Sequence, residues 1–227
     1  MFGLLALTKG KIILKTNSYR LSLDLLACAF LIALSLVMFW VERLHEQGFV
    51  YLGWGADPEF FIWSLNWFPF AWVHHLPLLT TNFVRAPVGA SLAWRTSVPA
   101  LALLTAPFTL KYGALTSYNF LMMLAPGLTG AGAYLAAKEL CGKTLPSFIA
   151  GLVFGFSSYE MGQSLGHLNL SFIVAIPLCL FIYFRAVKKN WSPLQMGISL
   201  GFLLLLSLEF LKKFVQVSPL FRSPPLL

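Results

Sequence analysis

LSLDLLACAFLIALSLVMFWV, residues 21–41, decides how the rest of the chain is read. A single acid interrupts an apolar run which, at about 1.5 Å of helix rise per residue, is long enough to cross a hydrocarbon core of about 30 Å. The run is too long and too uniformly apolar for a signal-peptide core, and no small-residue cleavage site follows it, so it reads as a retained anchor. Composition agrees. The chain is 58% hydrophobic and 11% charged, with a mean hydropathy of +0.77, against roughly 25% charged residues in an ordinary soluble domain. The expected class is a polytopic, all-α membrane bundle.

Sixteen Lys and Arg against eight Asp and Glu leave a net charge of +8. The basic residues lie mainly in short segments between apolar stretches, as in cytoplasmic loops beside an anionic leaflet, so the charge argues for a bilayer and not for nucleic acid. Cys28, Cys141 and Cys179 lie in or next to apolar runs without metal-ligand spacing and read as small hydrophobes.

Further spans are expected over residues 115–137, 146–162, 168–184 and 194–211, giving about five in all. Residues 98–110, VPALALLTAPFTL, carry Pro99 and Pro107 and are short enough to suit a re-entrant or interfacial element. Charge parity bears on this. If residues 98–110 do not cross, then Lys9, Lys11, Lys15 and Arg20, Lys138 and Lys143, and Arg185, Lys188 and Lys189 all share one side. The reading that follows has a basic cytoplasmic segment over residues 1–20, a transmembrane domain over residues 21–211 with a large outer loop at 42–114, and an atypical tail over 212–227. A second arrangement keeps the parity by letting residues 60–79 and 98–110 both cross, but it places Pro69, Pro77 and the His74–His75 pair at a costly depth.

The outer loop opens with GWGADPEFFIWSLNWFPFAWVHH, residues 53–75, and holds Trp54, Trp63, Trp67, Trp72 and Trp94. Tryptophan favours the membrane interface, so this stretch is expected to be a juxtamembrane helix lying along the outer surface. Asp57 suits a helix N-cap, with Pro58 at the first helical position and Glu59 in the first turn. The same carboxylate, held at the membrane surface, suits a general base that takes the proton of an acceptor hydroxyl during sugar transfer from a lipid-linked phosphate. Arg85, Arg95 and Lys111 offer cations for the leaving phosphate. Residues 155–170, GFSSYEMGQSLGHLNL, are expected on the same face, where Glu160, Gln163, His167 and Asn169 form either a polar turn between spans or contacts to donor and acceptor. Glu209, inside ISLGFLLLLSLEFL, should face a partner, a cavity or the interface. The small residues of GLTGAG, 127–132, read as a helix-packing face. His74 and His75 read as interfacial side chains, and no metal site is expected.

GADPEFFIWSLNWFPFA, RAPVGASLAW and GFSSYEMGQSLGHLNL, in that order, resemble the amino-terminal portion of bacterial GT-C glycosyltransferases, up to an SLEF-like ending at residues 207–210. The resemblance implies a multi-pass inner-membrane enzyme with a cytoplasmic N-terminus. It also implies a large outer loop, Asp57 as the catalytic residue, a polyprenyl-phosphate-linked sugar as donor and a glycan or lipid acceptor on the periplasmic face; no cofactor is expected. Glu59, Arg85, Arg95, Glu160 and His167 are the candidate substrate contacts, taken from location and not from the family pattern. Members of that superfamily are usually much longer, and the tail LKKFVQVSPLFRSPPLL reads as truncated or frameshifted, so an inactive remnant is a further expectation. The rival from another class is a transporter or channel component, with Glu160 and Glu209 lining a path.

Overall fold

The computed structural model describes residues 21–40, 50–93 and 95–206. The basic segment 1–20, Trp94, Glu209 and the tail fall outside them. The fold is mostly helical, and three of its helices are long and apolar enough to cross a membrane. The elements are α1 Leu21–Trp40, α2 Asp57–Val73, β1 Thr80–Thr81, β2 Ala90–Ser91, α3 Pro99–Leu104, α4 Ala106–Tyr112, α5 Ala114–Cys141, α6 Thr144–Gly155, α7 Ser158–Gln163, α8 Leu168–Ser171, α9 Ala175–Lys188 and α10 Pro193–Leu206. The three long runs are α1, α5 and Leu168–Lys188, which contains α8 and α9.

Helix α5 is the hub, and its small residues are the reason. A Cβ on Gly127 would stand 2.7 Å from the Ile32 Cα of α1, and one on Gly130 would stand 2.9 Å from the Gly151 carbonyl oxygen of α6. One on Gly132 would meet the Pro177 ring of α9 at 3.0 Å. The GLTGAG stretch thus lets three helices approach one backbone, as close packing of membrane helices requires. Ser35 of α1 donates to the Met123 carbonyl at 2.7 Å, in the turn that Pro126 loosens by its missing N–H.

Polar side chains gather at one end of this bundle. Lys138 pairs with Asp24 at 3.0 Å, Arg185 with Glu139 at 3.8 Å, and Tyr134 bonds Asp24. These contacts make α1 antiparallel to α5 and α9 parallel to it, and they bring Lys138, Arg185 and Lys188 to a common end. At the other end, Asn119 of α5 holds residues 50–52. From Asn119 to Lys138 the helix rises about 29 Å, close to one hydrocarbon thickness.

Several spans expected from the sequence differ in detail. The run 146–162 is interrupted, because α6 ends at Gly155 and Ser157 caps a new helix, its Oγ accepting from the Glu160 N–H. SSYE is the serine-to-glutamate spacing that starts helices. At 12 and 14 residues, α6 and α10 span only about 18 and 21 Å as described. Residues 98–110 fall in two short helices of 6 and 7 residues, Pro99–Leu104 and Ala106–Tyr112, broken at Thr105 just ahead of Pro107.

Helix α2 forms where expected, but it is more than an aromatic anchor. Phe61, Leu65, Trp67, Phe68 and Ala71 are buried against Leu92, Val98, Leu101, Tyr118, Met122 and Leu168. The two-residue antiparallel ladder, Thr80 opposite Ser91 and Thr81 opposite Ala90, docks on its C-terminal half. There Trp67 donates its indole N–H to the Leu78 carbonyl at 3.2 Å, and Phe83 packs on Trp67 and Phe70.

Candidate functional site

The segment that delivers Asp57 is pinned before the helix begins. Leu52 N–H donates to Asn119 Oδ1 at 2.8 Å, Asn119 Nδ2 donates to the Val50 carbonyl at 3.2 Å, and Tyr118 donates to the Leu52 carbonyl at 3.1 Å. Tyr51 closes the turn by donating to the Gly55 carbonyl at 3.1 Å. Asn119 and Tyr118 went unremarked among the sequence candidates, although an asparagine within an apolar span is costly enough to signal an obligatory partner.

A second loop then crosses the first, backbone against backbone. Trp54 N–H donates to the Leu165 carbonyl at 3.0 Å. Gly53, at φ +91°, and Gly166, at φ +149°, leave no room for a side chain at the crossing. A Cβ would stand 2.5 Å from the Leu165 oxygen in one case and 2.9 Å from the Trp54 oxygen in the other. Asp57 and His167, 110 positions apart in sequence, meet as a result. His167 Nε2 stands 3.4 Å from Asp57 Oδ2, with the two side chains 44% and 58% exposed. That spacing is loose for a hydrogen bond. Both side chains line a cavity of about 250 Å³ with Trp54, Gly55, Ala56, Gly162 and Leu165.

Asp57 is not the N-cap. Ala56 takes that position with φ −89° and ψ −19°, and no side chain caps the helix. Asp57 is the first helical residue, so its carboxylate gains from the macrodipole but is not consumed by a capping bond. Glu59 is exposed in the first turn and does not line the cavity.

Glu160 is completely buried and does not line the cavity. Ser171 donates to Glu160 Oε1 at 3.1 Å, the Ser164 and Ser171 hydroxyls stand 2.9 Å apart, and Ser164 donates to the Glu160 carbonyl at 2.8 Å. Burial pushes the Glu160 acid up to about 8, opposed by the Ser171 bond. Glu160 Oε2, His167 Nδ1 and Asn169 Oδ1 are buried without a hydrogen-bond partner among the described residues. Ser164 and Ser171 carried no sequence signal beyond their polarity.

The expected cations are placed elsewhere. Arg85 is exposed at φ +59° on the connection between β1 and β2, which docks on α2 some 15 Å or more along the helix from Asp57. Arg95 is exposed in the turn before α3, and neither arginine lines the cavity. Lys111 lies over the Tyr112 ring at 5.0 Å. Among the described residues no group of three or more His, Cys, Asp or Glu could hold a metal.

A second cavity, of about 590 Å³, lies between α1, α4 and α5. Its walls are Leu36, Val37, Trp40, Phe108, Phe120 and Met123, with Thr116 and Asn119 as polar groups. Asn119 therefore borders this apolar groove while also holding the segment that carries Asp57. No protein-family profile, curated protein or solved structure matches the chain.

Proposed function

We propose that the chain is a GT-C-like membrane glycosyltransferase, acting on the periplasmic face of a bacterial inner membrane with its N-terminus in the cytoplasm. The pairing of Asp57 with His167 in the lining of a small cavity carries this reading. Two loops distant in sequence are stitched together by tight backbone contacts, an expense that a plain helix cap does not need. Asp57 takes the proton of an acceptor hydroxyl, and the oxygen attacks the anomeric carbon of the donor sugar as the bond to the lipid phosphate breaks. Direct displacement inverts that carbon. His167 holds the Asp57 carboxylate toward the acceptor.

The cavity, of about 250 Å³, is on the scale of one sugar ring. In this reading the acceptor occupies it, and the polyprenyl-phosphate donor approaches from outside. The donor's apolar chain lies in the groove of α1, α4 and α5, and Arg85, Arg95, Glu59 and Glu160 stand outside the reacting groups. The rival reading, a transporter component, draws on the buried Glu160 and predicts solute movement without chemistry.

The test is transfer of radiolabelled sugar from a polyprenyl-phosphate donor in membrane vesicles carrying the full chain. Asp57→Asn should lower turnover by about 10²-fold or more, the usual worth of a positioned general base, while membrane insertion is unchanged. Full turnover by that variant removes Asp57 from the mechanism, and solute flux without transfer favours the rival.

A further inference from the structure

The cavity has an aromatic wall that nothing above employs. Trp54 lines it beside Asp57 and His167, and its residue surface is 74% exposed. Its backbone is among the most tightly held parts of the region. The N–H is bonded to the Leu165 carbonyl, and the carbonyl oxygen lies against Gly166, where even a methyl group would not fit. A rigid main chain thus carries an open ring.

Two of the three tryptophans of α2 show the contrast, while the third, Trp72, is itself 64% exposed. Trp63 stacks on Trp67 at 5.6 Å between ring centroids, nearly parallel, and Trp67 is further packed by Phe83 and bonded through its indole N–H. Those rings hold the fold together. Trp54 makes no ring contact and no indole hydrogen bond among the described residues. An indole offers a wide, electron-rich face at little entropic cost on binding, together with one N–H donor. A pyranose is complementary to it, because its axial C–H bonds form an apolar, weakly positive face while its equatorial hydroxyls point outward.

We infer that Trp54 is the stacking platform for a pyranose acceptor: the C–H face of the sugar lies on the indole, and a ring hydroxyl is presented to Asp57 and His167. This rests on the proposed sugar transfer, but it concerns binding and is tested without the donor. The competing role for an exposed tryptophan here is a membrane-interface anchor.

The experiment is saturation-transfer NMR on the full chain in nanodiscs, with methyl β-D-glucopyranoside, methyl β-D-galactopyranoside and methyl α-D-mannopyranoside as probes. At least one probe should receive saturation mainly at ring C–H protons. Trp54→Ala should weaken its binding by about tenfold or more, as truncation of a central aromatic contact does, whereas Trp54→Phe, which keeps a face, should lose about threefold or less. Size-exclusion profiles and helical circular dichroism of the two variants identify any loss of fold, and the Phe variant keeps the test decisive if the Ala variant does not fold. Asp57→Asn should still bind the probe. Absence of any probe binding, or equal binding by Trp54→Ala and the wild type, overturns the inference. So does quenching of Trp54 by lipids brominated deep in the acyl chain, which marks an anchor. Trp54-dependent binding combined with unimpaired transfer by Asp57→Asn leaves the platform standing and fails the catalytic assignment alone.

Discussion

Replacing Glu160 with glutamine should remove a pH dependence from the stability of the whole fold. Glu160 sits in the short helix α7, outside the three helices long enough to cross a membrane, and it is fully buried with its acid raised from 4.5 to about 8. The sign follows from proton counting. Below about 4.5 the acid is neutral in both folded and unfolded chains, and stability is at its fullest. Between about 4.5 and 8 the folded chain keeps a proton that the unfolded chain releases, so stability falls as pH rises, by at most about 1.4 kcal/mol per pH unit. Above about 8 both forms are ionised and the loss is complete. Water entry on ionisation reduces the sum, leaving a few kcal/mol between pH 5 and pH 9, or on the order of 10 °C in Tm for a chain of this size. Glutamine keeps an oxygen for the Ser171 hydroxyl and has no proton to lose. The assay is thermal unfolding in nanodiscs by helical circular dichroism at pH 5, 7 and 9, for both proteins. Every other titrating group is common to the two, so the difference between their profiles isolates Glu160. Parallel profiles, or a wild type that gains stability toward pH 9 relative to the variant, refute the reasoning.

Two further substitutions probe how the site is held. Asn119→Leu leaves the Leu52 N–H and the Val50 carbonyl without their side-chain partner, which should destabilise the fold by about 2–4 kcal/mol and reduce sugar transfer, as measured by thermal unfolding and vesicle assay; an unchanged Tm refutes the pinning role. Gly166→Ala forces a Cβ to 2.9 Å from the Trp54 carbonyl oxygen at φ +149°, and should cost about 1–3 kcal/mol while separating His167 from Asp57. Its readout is Tm together with turnover. Wild-type values for both show that the loop crossing tolerates displacement.

The membrane class was legible from hydropathy alone, because each span must satisfy its own backbone within a run of apolar residues. Helix α2 was also legible from Asp57, Pro58 and Glu59, whose types suit the first turn wherever the helix lies. So was the packing role of GLTGAG, since the absence of side chains is a property of the sequence itself. Charge parity put Lys138, Arg185 and Lys188 on one side, and their ion pairs and hydrogen bonds gather at one end of the bundle.

Only tertiary structure decided what each polar residue does. Asp57 and Glu160 read alike as acids near one face, yet one ends half-exposed beside His167 and the other fully buried among serines. Arg85 and Arg95 share with Asp57 the stretch between α1 and α5 but not the cavity. Trp54 and Trp67 were equivalent as interface formers, and one became an open wall while the other became core. Local pattern determines where a helix forms and which side is apolar, because both depend on near neighbours in the chain. The partner of a side chain depends on which distant backbones close on each other, here through the crossing of residues 53–54 with 165–166, and that contact has no periodicity to announce it.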